Sequence, residues 1–301
     1  MRLRRVIVAV DVLLAVVAVA MLSLRPVPAH GQAPPAFVVH KVDTASWWPR
    51  SANDPYFLLV VGNDGRAGLE GVRGDAIHLI GVNPGAKAAT ILNIPRDTWV
   101  DIPGHGREKI TSSFDFGGLP LEVQTVSQLT GVPISFAVTT NFDGFMALVD
   151  AMGGFNIEIP SRMYDPFSGA DFQPGPFWMN GTAALSFARD RHLDGGDLTR
   201  TTNQGWLLLS ALQRAEDVTK SPFGTLKLLS LISRYTQLDN VGIRDLYPLV
   251  NGALELDTAN VRNVTMPATL GFVGPAAVVF VGPGAGDLFA DFRDDAVLQS
   301  H

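Results

Sequence analysis

The chain of 301 residues contains no cysteine. Structural disulfides, thiolate metal sites and cysteine nucleophiles are therefore excluded. Histidine is scarce as well, and no two of the six histidines have the spacing of metal ligands on one helix. His105 and His192 are close enough to other polar residues to touch a substrate, but structural or solvent-facing roles are favoured.

Two common catalytic signatures are also missing. No Gly-x-Ser-x-Gly segment occurs, so a serine-hydrolase elbow is not indicated. The segment GPGAGD at 282–287 lacks the lysine of a phosphate-binding loop and is interpreted as a turn.

Charge is low and of the wrong sign for nucleic-acid binding. Charged residues make up 17% of the chain, the formal net charge is −6 and the isoelectric point is near 5.5. Phosphate backbones need a surplus of Lys and Arg, so nucleic acid is not the expected partner. A hydrophobic content of 47% excludes a disordered chain and, at this length, is enough for one or two folded domains.

The first residues predict attachment to a membrane. A basic head at 1–5 precedes 19 residues, 6–24, that are apolar except for Asp11 and Ser23. That length suits a single bilayer span with the head in the cytoplasm. Because Asp11 shortens the apolar core, a signal peptide cleaved at or soon after Ala29 is the alternative. The predicted division is head and anchor over 1–24, a Pro- and Ala-rich linker over 25–54, and an extracytoplasmic domain over 55–301.

Strand-like and helix-like segments alternate through the rest of the chain. Short apolar runs predict strands, and longer periodic segments that end at glycine predict helices. The region 160–180, rich in Pro and Gly, is predicted to be a long loop. This alternation predicts an α/β domain with a mixed central sheet and helices on both faces. Strands are predicted at 57–61, 76–82, 88–94, 134–138, 155–159, 261–267 and 276–281, and helices at 121–130, 142–152, 181–187, 197–219, 222–236 and 242–254.

Four clusters of Asp, Arg and Lys between residues 62 and 109 carry the strongest functional signal. They read GNDGR (62–66), VRGD (72–75), NIPRD (93–97) and IPGHGREKI (102–110). Asp64 and Asp75 adjoin strand-like runs, so they form either a magnesium site or two turn aspartates. The basic residues either balance these carboxylates or clamp a pyrophosphate through forked N–H pairs. The basic residues are Arg66, Arg73, Arg96 and Lys109.

Two further groups of polar residues follow in the second half of the chain. Arg189 and Arg191 are two positions apart, so in an extended segment both face one side while Asp190 points away. Asp197, Arg200 and Gln204 lie at i, i+3 and i+7, which places all three on one face of a helix. The alternative for Arg189 and Arg191 is an ordinary pair of surface charges.

Together these motifs resemble those of the LytR-CpsA-Psr family of cell-envelope glycopolymer transferases. The resemblance continues through NFDGFMALVDAMGG (141–154), NGTAALSFARDR (180–191) and GGDLTRTTNQ (195–204) and covers roughly residues 54–290. It implies that Asp64 and Asp75 hold Mg²⁺. It further implies that the basic residues at 66, 73, 96 and 109 contact the head group of a lipid-linked substrate.

The family's activity implies transfer of a glycopolymer from a polyisoprenoid pyrophosphate carrier to a sugar hydroxyl of peptidoglycan. Under this reading Arg73, Arg96 and Arg189 belong to the catalytic centre. Asp97 is a weak candidate for the general base, because it can also be the ion-pair partner of Arg96. The lipid tail needs an apolar channel, and the Leu-rich segments at 205–212 and 222–232 are candidates for its wall.

The chain departs from its relatives at Asn203, where many carry a second Arg. The loss of one phosphate contact indicates either reduced activity or a variant substrate. Two alternatives to a transferase stay open: a hydrolase that cleaves lipid pyrophosphates with water as acceptor, and a non-catalytic protein that binds polyprenyl phosphate, which the missing Arg would allow.

Overall fold

A central sheet and its flanking helices account for most of the computed structural model, which describes residues 37–42, 53–63, 73–220, 224–242 and 255–298, with single residues at 49, 51, 245, 249, 252 and 253. The strands and helices follow here in chain order. They are β1 (Phe37–Lys41), β2 (Tyr56–Asn63), β3 (Gly74–Asn83), β4 (Ala88–Ile94), β5 (Trp99–Ile102), β6 (Gly106–Lys109), α1 (Ser112–Thr130), β7 (Phe136–Asn141), α2 (Phe142–Ala151), β8 (Phe155–Ile159), β9 (Met163–Asp165), β10 (Ala170–Phe172), β11 (Gly175–Met179), α3 (Gly181–Arg189), α4 (Asp197–Thr219), α5 (Gly224–Tyr235), β12 (Thr236–Asp239), β13 (Val261–Thr265), β14 (Ala268–Val273), β15 (Ala276–Val281) and α6 (Ala285–Asp295).

The central sheet has seven strands in the order β12-β1-β7-β2-β3-β4-β13. Strands β2, β3 and β4 pair antiparallel, whereas β7 joins β2 and β13 joins β4 in parallel. The predicted mixed central sheet is therefore confirmed. All seven residues of β4 are buried, as expected for a strand that is covered on both faces.

The two faces of the sheet bury different side chains. Leu59, Ile77 and Leu92 lie in a core with residues of α1 and α6. The opposite face packs Ile91 and Phe136 against Leu209 of α4. Helices therefore cover both faces, because side chains alternate along each strand.

A third hydrophobic cluster lies beyond the central sheet. It joins α2, α3 and α4 to the short strands β8 to β11, with Phe155, Phe172 and Phe187 among its buried members. The predicted loop over 160–180 is wrong in this respect, because the segment contains β9, β10 and β11. Residues 163–165 and 170–172 are buried, exposed and buried in turn. Met163, Ala170 and Phe172 reach the cluster, whereas the buried Asp165 lines the cavity described below.

Other boundaries differ from the sequence predictions. The predicted helix at 121–130 begins at Ser112 and is interrupted at Gly117 and Gly118, whose backbone angles are not helical. Residues 37–41, which fall in the predicted linker, form β1 because their backbone pairs with β7 and β12. The predicted strands β2 to β4 and the helix at 197–219 are confirmed.

The predicted anchor over 1–24 lies outside the described residues, as does most of the predicted helix at 242–254. Among the helices that the structure does describe, none is both long and apolar enough to cross a bilayer.

Candidate functional site

A cavity of about 450 Å³ separates β2 and β3 from α2, α3 and α4. Most of its wall is apolar, and the remainder is charged. The apolar lining includes Val60, Ala76, Phe142, Phe145, Leu185, Leu207 and Leu208, and the charged and polar lining includes Asp75, Asp165, Arg189, Arg191, His192, Arg200 and Gln204.

The charged residues lie at one end of this cavity because of where their elements begin and end. Asp75 is the second residue of β3, Arg189 is the last residue of α3 and Arg200 is in the first turns of α4. Leu185 lies one turn earlier on α3, and Leu207 lies two turns later on α4. The cavity therefore has a polar end and an apolar end.

A chain of ion pairs organises the polar end. Arg96 Nη1 contacts Asp75 Oδ1, and its Nε lies 3.8 Å from Asp197 Oδ1. Arg200 contacts the same oxygen of Asp197 one helical turn away. Burial alone would lower the pKa of Arg96, but the neighbouring carboxylates of Asp75, Asp97 and Asp197 hold that pKa above its ordinary value. Arg96 therefore stays fully charged.

Several buried polar atoms in this group have no hydrogen-bond partner among the described residues. They are Arg96 Nε, Arg200 Nε, Asp197 Oδ2, Asn203 Nδ2 and Gln204 Oε1. Buried polar groups are nearly always paired, because an unpaired one loses its solvation without compensation. Of these residues, Arg200 and Gln204 line the cavity, so a polar ligand bound there would lie beside two of the unpaired atoms.

Burial also shifts the titration of the two residues that begin α4. The pKa of Arg200 falls to about 10, mainly through burial, with Arg96 and Arg191 acting in the same direction. The pKa of Asp197 rises through burial, against the attraction of Arg200. Three guanidinium groups thus lie near one another without full neutralisation, which favours an anion between them.

Arg189 and Arg191 both line the cavity, as predicted. They do not, however, belong to one extended segment. Arg189 ends α3, and its guanidinium lies 5.3 Å from the ring centre of Phe142. Asp190 leaves the helix with an extended backbone, and its buried Oδ1 accepts a hydrogen bond from the His192 amide. Burial lowers the pKa of Arg191, with Arg96 as the next cause.

The other sequence candidates are placed as follows. Asp97 Oδ1 lies 2.9 Å from Lys109 Nζ, so its ion-pair partner is Lys109 rather than Arg96. Arg73 precedes β3 and is exposed. Gln204 lines the cavity and donates a hydrogen bond to the Ala188 carbonyl over 3.0 Å. Asp64 and Arg66 lie outside the described residues, so Asp75 is the described member of the predicted magnesium pair.

Sequence reasoning overlooked His78, which lines the cavity from β3. Its Nδ1 lies 2.7 Å from Asn93 Oδ1, and burial lowers its pKa to about 4, so the ring is neutral. Ala76 and His78 are two residues apart and therefore share one face of β3. This spacing is the signal that could have placed His78 in the cavity wall.

A cavity with an apolar interior and an incompletely neutralised cationic end has the chemistry that suits an amphiphilic anion. Comparison with known proteins places the chain more narrowly. The LytR_cpsA_psr family model matches residues 31–284, so the chain belongs to the LytR-CpsA-Psr family.

One similar curated protein is the polyisoprenyl-teichoic acid–peptidoglycan teichoic acid transferase TagU of Halalkalibacterium halodurans. It is 34% identical over 168 residues, which are 55% of this chain and 55% of that protein. This chain therefore spans about half the length of the curated relative.

Solved structures share the fold. TagV of B. subtilis superposes with a TM-score of 0.68 at 23% identity, over 82% of this chain and 99% of the other. The family protein YwtF (TagT) with bound octaprenyl pyrophosphate superposes with a TM-score of 0.63 at 20% identity, over 85% and 96%.

Proposed function

We propose that this chain transfers a glycopolymer from a polyisoprenoid pyrophosphate carrier to peptidoglycan. The observation that carries the proposal is the cavity, whose apolar interior ends at three guanidinium groups, those of Arg189, Arg191 and Arg200. An isoprenoid tail fits the apolar part, and a pyrophosphate supplies acceptor oxygens for these groups, among which Arg200 has an unpaired Nε. The names of the relatives support the same substrate class.

In the proposed reaction, a sugar hydroxyl of peptidoglycan attacks the phosphorus that bears the glycopolymer. A phosphodiester forms, the bond to the polyprenyl phosphate breaks, and polyprenyl phosphate leaves. The guanidinium groups of Arg189, Arg191 and Arg200 hold the oxygens and offset the charge that develops on them. The hydroxyl proton passes to a base, for which Asp97 beside Lys109 is one candidate.

Magnesium remains part of the proposal. Asp75 offers a carboxylate at the polar end of the cavity, which is the oxygen chemistry that magnesium prefers. Magnesium held by Asp64 and Asp75 would polarise the pyrophosphate. If the two residues act as one site, Asp64→Ala, Asp75→Ala and the double variant lose similar amounts of activity in a magnesium titration. Near-parental activity of both single variants would rule out the shared site.

We also propose that the N-terminal segment anchors the chain in the cell membrane, with the described domain outside the cytoplasm. A lipid-linked substrate and peptidoglycan are both reached from that side. Cleavage of the segment would instead release a secreted domain.

The decisive experiment asks whether release of the lipid depends on an acceptor. The full-length protein is given a radiolabelled lipid-linked glycopolymer with and without peptidoglycan fragments. The expected result is a covalent glycan conjugate that appears together with polyprenyl phosphate, only when fragments are present. Equal lipid release without a conjugate would indicate a lipid pyrophosphate hydrolase. Binding without release would indicate a non-catalytic binding protein, the alternative that Asn203 in place of the family's Arg leaves open.

A further inference from the structure

Three potential metal ligands meet beside the polar end of the cavity, away from Asp75. They are Asp165 at the end of β9 and Asp190 and His192 after α3, and one ligand atom from each lies within 4.8 Å of the others. The closest pair is His192 Nδ1 and Asp165 Oδ1, which are 3.1 Å apart. Two atoms bound to one ion at about 2.0–2.1 Å are roughly 3 Å apart, so this spacing suits a shared ion.

The burial of the carboxylates provides the second observation. Asp190 is fully buried, and Asp165 is 2% exposed. Asp190 Oδ1 accepts the His192 amide, whereas Asp190 Oδ2 has no hydrogen-bond partner in the described part of the chain. A buried carboxylate oxygen without a partner is costly unless a cation compensates it.

Asp165 is held in place by its surroundings. Its Oδ1 accepts a hydrogen bond from the Phe167 amide over 2.9 Å. The ring of Phe167 stacks on the His192 imidazole at 6.1 Å, which orients the imidazole.

We propose that Asp165, Asp190 and His192 bind a divalent transition-metal ion of the zinc class. Two carboxylates and one imidazole form a mixed oxygen and nitrogen set, which favours zinc over magnesium, since magnesium prefers oxygen ligands alone. The three protein ligands leave a fourth position of a tetrahedral ion for water or for an oxygen of the bound ligand.

The position of the site gives the metal a structural consequence. Arg191 lies between Asp190 and His192 in the chain and lines the cavity. A metal held by both neighbours fixes the backbone at Arg191 and ties it to the turn after β9. The metal site therefore positions one of the guanidinium groups that the proposed function assigns to the pyrophosphate, and in this respect it rests on that function.

The test measures metal binding itself, so its result does not depend on transferase activity. The full-length protein in detergent is stripped with a chelator and titrated with Zn²⁺, and with Co²⁺ as a spectroscopic probe. The expected result is one Zn²⁺ per chain that a tenfold excess of Mg²⁺ does not displace. The variant His192→Gln is expected to weaken Zn²⁺ binding by more than about tenfold, since even supporting residues of metal sites are worth about 10–100-fold.

Two controls and a second variant make the test specific. His40→Gln alters another histidine next to a carboxylate, Asp239 at 2.9 Å, and is expected to leave Zn²⁺ binding unchanged. Asp75→Asn is likewise expected to retain it, because Asp75 belongs to the proposed magnesium pair. Asp190→Asn keeps the shape of the buried side chain and is expected to lose binding. Absence of stoichiometric Zn²⁺ in the parent, or unchanged affinity in His192→Gln, would overturn the proposal and leave the cluster as a histidine held by two aspartates.

Discussion

Arg189 and Arg200 carry the same charge at the same end of the cavity but are held differently. Arg200 is buried and contacts Asp197, so its removal would take the closer of two partners from a buried carboxylate and leave only Arg96 at 3.8 Å. Arg189 instead lies over the ring of Phe142, which is a weaker and more tolerant contact. Arg189 is therefore the better residue for measuring binding without damaging the fold.

We predict that Arg189→Ala weakens binding of polyprenyl pyrophosphate by about 10–100-fold, because a hydrogen bond to a charged group is worth about 1.5–3 kcal/mol. Arg189→Lys should recover only part of this affinity, since lysine lacks the planar fork. Arg214→Ala is the matched control: Arg214 also lies over an aromatic ring, Trp178, but does not line the cavity. Isothermal titration calorimetry of the parent and the three variants measures the affinity for polyprenyl pyrophosphate. Equal losses of affinity in Arg189→Ala and Arg214→Ala would contradict the assignment of Arg189 to the binding site.

Glu122 on α1 is a buried acid that does not line the cavity. Its side chain is fully buried, Ser113 donates a hydrogen bond to Oε2, and Oε1 has no hydrogen-bond partner among the described residues. Burial raises its pKa to about 8, so the folded protein holds a proton here at neutral pH.

The raised pKa of Glu122 predicts a pH dependence of stability. The folded state binds this proton more tightly than the unfolded chain, so the stabilisation is complete below about pH 4.3 and is lost as the pH rises to about 8. Urea unfolding at pH 5.5 and 8 should show that Glu122→Gln removes part of this decline. Glu158→Gln, at an exposed position of β8, should follow the parent at both pH values. Parallel curves for the parent and Glu122→Gln would refute the prediction.

The ion-pair partners of single residues could not be predicted from the sequence. The neighbours Arg96 and Asp97 suggested an ion pair, yet Arg96 pairs with Asp75 and Asp197, and Asp97 pairs with Lys109. Consecutive residues after a strand point in different directions, and their partners come from other elements. Residue types and spacing identified the charged cluster, whereas its pairing depends on the packing of β3, β6 and α4.

Among the elements, α4 links the cavity to the sheet. It carries Arg200 and Gln204, and it reaches β4 and β13 through Asn93 and Asn263, whose side chains are hydrogen-bonded over 2.6 Å. Asn263 also donates to the Thr202 carbonyl of α4 over 3.1 Å. Gly205 lies at this contact, and a Cβ there would be 2.0 Å from Asn263 Oδ1.

We predict that Gly205→Ala destabilises the protein by roughly 1–3 kcal/mol, because overpacking at this contact exceeds the gain in helix propensity. Binding of polyprenyl pyrophosphate should weaken as well, since α4 must shift with Arg200. Gly286→Ala in α6 is the control, because a Cβ there meets no atom within 4 Å, and its stability should be unchanged or slightly higher. Denaturant midpoints measure the stability of both variants. An unchanged midpoint for Gly205→Ala would show that α4 can move freely on the sheet.

The elements that sequence analysis missed share a physical property. Strands β1, β12 and β14 are short and have no fully buried run, so they lack the apolar pattern by which β4 was predicted. They are strands because of pairing with distant partners: β1, for example, joins β7 across about a hundred residues of chain. The helix of α4, in contrast, was predicted correctly because its period and its glycine boundary are local features.

At the scale of the whole molecule, the basic head and apolar segment before the described domain predict its orientation. A reporter that is active only in the cytoplasm, fused after His301, should stay silent, whereas the same reporter fused to the N-terminus should be active. The N-terminal fusion also controls for expression. Activity at the C-terminus would place the domain in the cytoplasm and remove access to peptidoglycan.

The cavity lies between the third hydrophobic cluster and the strands of the central sheet, so an isoprenoid tail would complete the hydrophobic interior. Under the proposed function, each turnover would end with the departure of the lipid that fills this part of the interior. We expect departure of the spent lipid to be slow and the emptied state to be the one most exposed to heat and proteolysis. Such a protein would last longest in a cell that keeps it supplied, so the availability of its substrate would set its lifetime as well as its rate.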